Sequence, residues 1–339
     1  MRLLILGTAL ATLCGSAAMA QTAAIGEPIA VSAESLLFHP ADPEVKGVGR
    51  IAFKGGLALK SDEPEFGGIS GITVAPDGET FTAITDQGRW ISGTLTYGAD
   101  GRLSGIAGVR IARMLTDADR GDSKVDQDAE SLTSLKTEEE RGSLLVGFEQ
   151  RHRIGLYRFA AEGMAAKPRI MDVPAPLGDA PLNNGLEALC ALPDGRIIAV
   201  TEELLDKAGN TLGAILPPPG ARGAAATFSL TRDGDYSPTD LALLPEGDLM
   251  LLERRFSPAT GVGMRLRRIA TKDLEGSGPA RGEVVAELNM TFAIDNMEGL
   301  SARADEEGRT LLYVVSDDNF NAPIQRTILL MFELTAAPE

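Results

Sequence analysis

Apolar and polar residues alternate with a period of two along most of this chain, in short runs closed by turn residues. Residues 69–75, 80–85 and 89–97 form three such runs, separated by Pro76-Asp77-Gly78 and Asp86-Gln87-Gly88. The alternation predicts strands. Pro presets φ and Gly accepts a positive φ, so the separating tripeptides predict tight turns between neighbours. The same punctuation returns at Pro193-Asp194-Gly195, Pro245-Glu246-Gly247 and Glu306-Glu307-Gly308, and further strands are expected over 154–159, 169–173, 265–269 and 283–288. Helical periodicity is scarce, and the charge cluster at 138–141 reads as a solvated turn.

A longer period lies over this one. Asp128-Ala129-Glu130-Ser131-Leu132, Gly185-Leu186-Glu187-Ala188-Leu189, Pro238-Thr239-Asp240-Leu241-Ala242 and Met297-Glu298-Gly299-Leu300-Ser301 bring an acid back roughly every 55 residues. A fifth copy, Gly68-Ile69-Ser70-Gly71-Ile72, carries Ser70 instead. Each copy is followed by a second apolar run that also ends in an acid: Asp86, Glu149, Glu202, Glu253 and Asp317. Units of this length with four strand-like runs predict an all-β fold, a β-propeller with five visible four-stranded blades. The last unit has runs only at 299–304, 310–315 and 327–334. The N-terminal residues 49–59 are expected to supply its missing outer strand and so close the ring. A degenerate sixth blade, built partly from 29–38, stays open at this point.

Blade geometry gives the acids a common address. The innermost strand starts at one face and the second strand returns to it. Glu130, Glu187, Asp240 and Glu298 should therefore meet Asp86, Glu149, Glu202, Glu253 and Asp317 at one channel mouth. So many carboxylates in a partly desolvated site must be paired, protonated or neutralised by metal. Arg89, Arg151, Arg153, Arg254, Arg255 and Arg326 lie close by in sequence, so an arginine–carboxylate network is one solution. Oxygen donors without His or Cys suit Ca²⁺ or Mg²⁺ better than zinc, so Ca²⁺ at the mouth is another; acids merely scattered in solvent are the third. On the metal reading all nine acids are candidate ligands. Glu130, Glu187, Asp240 and Glu298 bind metal or position water, while Arg151, Arg254 and Arg326 hold an anionic substrate. The acidic loop Asp117–Asp122 lacks the glycine position and terminal Glu of a calcium loop.

Composition narrows the classes. Residues 1–20 read as a signal peptide, with Arg2, an apolar stretch over 3–13 and Ala18-Met19-Ala20 before a mature start at Gln21, so a periplasmic or secreted protein is expected. Residues 21–48 would be an N-terminal extension and 49–339 a single propeller domain. No other run is long enough to span a bilayer. With 32 Lys and Arg against 48 Asp and Glu, the net charge of −16 argues against nucleic acid and anionic lipid as partners. A monomer acting on a small anionic or ester substrate is expected. Cys190 alone survives leader removal, so no intrachain disulfide can form. A Ser–His triad is disfavoured: only His39 and His152 exist, without a Gly-x-Ser-x-Gly elbow.

Several of these segments together are similar to a known family. Phe66-Gly67-Gly68-Ile69-Ser70-Gly71-Ile72, Asp128-Ala129-Glu130-Ser131-Leu132, Asn184-Gly185-Leu186-Glu187-Ala188-Leu189, Leu252-Glu253-Arg254-Arg255-Phe256, Ser316-Asp317-Asp318-Asn319-Phe320 and Gln325-Arg326-Thr327 resemble the phytase-like family of exported bacterial proteins, often labelled "esterase-like activity of phytase family". The resemblance runs over about residues 49–334. It implies a carboxylate-rich β-propeller distantly similar to the calcium-dependent propeller phytases. In those enzymes carboxylate-held calcium ions bind substrate phosphates and activate water, with Lys and Arg as further phosphate contacts. The function so implied is metal-dependent hydrolysis of phosphate or other esters. A non-catalytic Ca²⁺-stabilised binding propeller and a sugar-lactone hydrolase remain the alternatives.

Overall fold

The computed structural model describes residues 25–117, 123–183, 185–321 and 324–336. The leader and Gln21, most of the acidic loop at 118–122, and Asn184 lie outside the described residues. Strand pairing makes five antiparallel sheets, and the four strands of blades 1–4 run in sequence order from the innermost outward. Blade 1 comprises Ile69–Val74, Thr80–Thr85, Arg89–Tyr97 and Leu103–Arg113; blade 2, Ala129–Ser134, Leu144–Phe148, Arg153–Tyr157 and Arg169–Asp172. Blade 3 is Leu186–Ala191, Ile197–Leu205, Thr211–Leu216 and Ala226–Leu230; blade 4, Ser237–Leu243, Leu249–Ser257, Gly261–Ile269 and Glu283–Asn289. Blade 5 is Asn296–Ala304, Thr310–Asp317 and Thr327–Leu334, completed by the N-terminal strand Ile51–Ser61 pairing antiparallel to Thr327–Leu334. The fold is a five-bladed β-propeller. The sixth blade does not form: Val31–Ser35 adds to the outer edge of blade 5, while Glu27–Pro28 adds to that of blade 1.

The apolar runs are nearly continuous because both faces of a blade are covered. Leu311, Tyr313 and Val315 pack toward blade 1, whereas Leu312 and Val314, between them in sequence, pack toward blade 4. The period-two geometry of a strand thus sends alternate side chains into two different interfaces. Five hydrophobic clusters result, one for each pair of neighbouring blades. Trp90 and Cys190 are parts of this core; Trp90 is fully buried edge-on against Tyr157 at 5.1 Å between their ring centroids.

All five inner strands carry a β-bulge at the same place. In blade 2, Phe148 pairs with Ala129 but Gly147 with Ser131, leaving Glu130 unopposed. Ser70, Glu187, Thr239 and Glu298 are the unopposed residues of the other blades. A bulge re-aims its extra side chain and sharpens the local twist. Where that residue is a hydroxyl, it ties one blade to the next: Ser70 Oγ donates to the Ala129 carbonyl at 2.6 Å and Thr239 Oγ1 to that of Met297 at 3.1 Å. An ionised carboxylate has no proton to donate and cannot make this tie. Ring closure between blades 5 and 1 adds Ser301 Oγ, which accepts the Val74 amide at 2.9 Å.

Replacing Trp90 by Ala opens a cavity between blades 1 and 2 and is expected to cost about 3–5 kcal/mol in urea unfolding. A loss below about 1 kcal/mol would show that this interface is not close-packed.

Candidate functional site

Each blade presents two residues at the end of the ring where its inner strand begins. One is the bulged residue; the other lies on the second strand opposite the residue two positions before the bulged one. The backbone brings them together. The Asp86, Glu149 and Glu202 amides donate to the carbonyls of Gly68, Asp128 and Gly185 at 2.8–2.9 Å, and Arg254 and Asp317 occupy the same register opposite Ser237 and Asn296. The bulge positions are Ser70, Glu130, Glu187, Thr239 and Glu298; the return positions are Asp86, Glu149, Glu202, Arg254 and Asp317. Asp128, just before its bulge, completes the acidic set.

Blade 4 departs from the spacing read in sequence. Asp240 lies one residue beyond the bulge and is fully buried between blades, accepting the Leu241 amide at 2.7 Å and the Leu300 amide at 2.6 Å. Glu253 lies one residue before the return position and is held within the blade by Arg267, at 2.6 and 3.1 Å. Both are structural carboxylates, and the places expected for them belong to Thr239 and Arg254. The strand alternation that would separate these neighbours is present in Thr239-Asp240 and Glu253-Arg254, but the bulge that shifts it depends on pairing.

The acids converge closely. Carboxylate oxygens of Asp128, Glu130 and Glu149 lie within 4.8 Å of one another. Glu149 accepts the Gly185 amide, and its carboxyl crowds that of Glu187 as the Glu130 carboxyl crowds that of Asp128. Two cations enter the site. Lys124 Nζ reaches Asp128 at 2.6 Å and Asp86 at 2.9 Å, and Arg254 lies 3.1 Å from Glu298 and 3.4 Å from Glu202. The other two arginines proposed from sequence sit outside the ring. Arg151 pairs with Asp117 and lies 3.7 Å from Asp126, while Arg326 is 3.7 Å from Asp295. Sequence reasoning missed Asp128 and Lys124 as site residues. Their four-residue spacing within one short helical turn was the available signal.

With this geometry in place, comparison is informative. Residues 64–320 match the phytase-like family, described as esterase-like activity of phytase, over more than half of the chain. The chain belongs to the phytase-like family. Among curated proteins no match is found.

In this phytase-like propeller the donor set is all oxygen, as a hard divalent cation prefers. Asp86 Oδ1 is buried without a hydrogen-bond partner among the described residues. Gly68, at φ 59, leaves room beside it, since a Cβ there would collide with that oxygen. Burial followed by neighbouring acids raises the affinity of the ring for protons. Glu130 is pushed well up by desolvation and Asp128, and Glu187 by desolvation, Glu130 and Glu149. Desolvation raises Glu298 to about 7, although Arg254 opposes it, and raises Asp317 to about 8 with help from Glu298. The Lys124 ammonium is held protonated more firmly than usual: pairing with Asp128 and Asp86 outweighs its burial.

Glu298 and Asp317 bind protons more tightly folded than unfolded, so the linked stability is full below ordinary carboxylate values and falls as pH rises through about 7 and about 8. The oppositely shifted Asp77, Asp194 and Asp305 act only in the acid range. Chelator-treated protein is expected to melt at a higher temperature near about pH 5.5 than near about pH 8.5, and Glu298→Gln with Asp317→Asn to flatten the slope. A rise in Tm over that interval would refute the ring's proton uptake. Lys124→Met leaves Asp86 and Asp128 without their cation; near pH 8 it should lower chelated stability by about 1 kcal/mol. An unchanged Tm would mean that the ring does not depend on this lysine.

Proposed function

We propose that this phytase-like propeller is an exported, Ca²⁺-dependent hydrolase of phosphate or other esters, acting at the carboxylate ring. The observation that carries the reading is the cluster of Asp128, Glu130 and Glu149, with Lys124 beside it and Arg254 across the ring. The donor set suits Ca²⁺, which takes six to eight oxygens from carboxylates, carbonyls and water. Asp86, Asp128, Glu130, Glu149 and Glu187 would hold the ion on the side of blades 1–3. When bound, it supplies positive charge that polarises an ester oxygen and acidifies a water.

The chain's own residues supply the remainder. Arg254 has planar donors and stands where blades 1, 2, 3 and 5 carry an acid, so it is the residue placed to receive a substrate oxyanion. Glu298, beside it, orients the guanidinium, and Glu202 restrains it from the other side. A ring carboxylate takes the proton of the attacking water as its oxygen bonds to phosphorus or carbonyl carbon. The ester P–O or C–O bond then breaks, and the departing oxygen receives a proton from a ring carboxyl. Asp240 and Glu253, engaged in the blade backbone and with Arg267, take no part in these steps.

Purified protein assayed with p-nitrophenyl phosphate, phytate, simple esters and lactones is expected to turn over an ester only with calcium. Glu187→Gln should lower kcat/KM about 100-fold or more, and Arg254→Ala should chiefly raise KM for anionic esters. No turnover on the whole panel, with calcium still raising Tm, would replace the hydrolase by a calcium-stabilised binding propeller. Turnover of lactones alone would favour the lactonase.

A further inference from the structure

A cleft of about 970 Å³ opens at the same end of the propeller, outside the carboxylate ring. It lies between the outer strands of blade 5 and the segment leading into blade 1. Val31, Leu59 and Phe66 give it an apolar wall, Phe320 stands opposite, and Asp318 and Arg326 are its polar members nearest the ring. Its volume is that of a small-molecule site.

The loop carrying Phe320 is built at a conformational cost. Asn319 and Phe320 both adopt left-handed backbone, at φ 49 and φ 50. For residues with a Cβ this costs on the order of 1 kcal/mol each and persists only where the surroundings enforce it. Asp318 does so: its carboxylate accepts the Gly68 amide at 3.0 Å, the Phe320 amide at 3.1 Å and the Thr327 hydroxyl at 3.0 Å. Asp318 is thereby committed to holding the turn. The result is a large aromatic ring left 36% exposed above the cleft.

This cleft and the carboxylate ring share a wall one residue thick. A Cβ on Gly68 would meet the Asp86 carboxylate on one side and the Phe320 ring on the other. A ligand anchored at the ring can therefore extend into the cleft without crossing a blade. The charges along the cleft nearly balance, with Lys60 and Arg326 against Asp62, Glu63 and Asp318. Such a surface lacks the concentrated positive charge that a polyphosphorylated ring needs, while its apolar wall suits a flat apolar group.

We propose that the cleft is a subsite for an aromatic group, so that the preferred substrate is an aryl ester with a single anionic group and its scissile bond at the carboxylate ring. This rests on the hydrolase reading above. Phe320 and Phe66 contact the aryl group, and Arg326, whose side chain is 44% exposed and faces the cleft, supplies a positive charge at its inner end.

The test compares equilibrium binding of 2-naphthyl phosphate and methyl phosphate, with calcium present, to the Glu187→Gln protein so that turnover does not interfere. The naphthyl ester should bind about tenfold or more tightly. Adding Phe320→Ala should erase that preference and leave methyl phosphate binding unchanged. Ser32→Trp, which fills the cleft from the far wall, should do the same without touching the strained turn. Equal binding of the two probes, no binding of either, or a preference that survives both substitutions overturns the subsite. The two readings fail separately. A Phe320-dependent naphthyl preference without turnover by the unsubstituted protein keeps the subsite and sinks the hydrolase. Turnover with equal kcat/KM for both esters, unaffected by Phe320→Ala, does the reverse.

Discussion

The site depends on one backbone contact repeated around the ring: the return residue of each second strand pairs with the inner-strand residue two positions before the bulged one. In blade 2 this is the Glu149 amide bound to the Asp128 carbonyl at 2.8 Å. Antiparallel pairing makes residues distant in sequence direct neighbours at one end of the sheet. The bulge then adds a side chain that the partner strand does not oppose. Together they put two functional groups from every blade at the same mouth. Five blades closed on themselves leave those groups facing one another, while the apolar clusters between blades hold the spacing.

Convergence creates an electrostatic load that the packed core must carry. Carboxylates within 4.8 Å of one another and mostly out of water strongly disfavour full ionisation. Three responses are built into the chain. Burial, with neighbouring acids, raises the proton affinity of Glu130, Glu149 and Glu187. Lys124 reaches in from the loop after blade 1, and Arg254 replaces an acid in blade 4. Ser70 and Thr239 replace acids at two bulges and convert those positions into ties between blades. The ring is therefore asymmetric, with most of its uncompensated oxygen on the side of blades 1–3 and a guanidinium on the other. Such polarity is absent from a simple fivefold reading of the repeat.

Legibility followed the strength of local signals. Blade count, closure by the N-terminal strand and the common end for the acids were all readable, because turn tripeptides and alternation are local and the antiparallel return is obligatory. Glu130, Glu187, Glu298, Asp86, Glu149, Glu202 and Asp317 lie at the ring as the repeat suggested. Asp240 and Glu253 do not, because nothing in Thr239-Asp240 or Glu253-Arg254 marks which residue a bulge will expose. A one-residue shift in register carries a side chain to the opposite face. Arg151 and Arg326 stand outside the ring, where loop geometry gives them to Asp117 and Asp295.

The sequence by itself determined the architecture. Periodicity, punctuation and a repeat of blade length specify how many sheets form and how the chain closes on itself, since each rests on residues close together in the chain. Tertiary structure alone decided which carboxylates crowd one another, that Lys124 and Arg254 reach the ring, and that a cleft walled by Phe66 and Phe320 abuts it. Those outcomes turn on distances of a few ångströms between residues of different blades, where Coulomb and hydrogen-bond energies change steeply and one bulge changes which side chain faces the site.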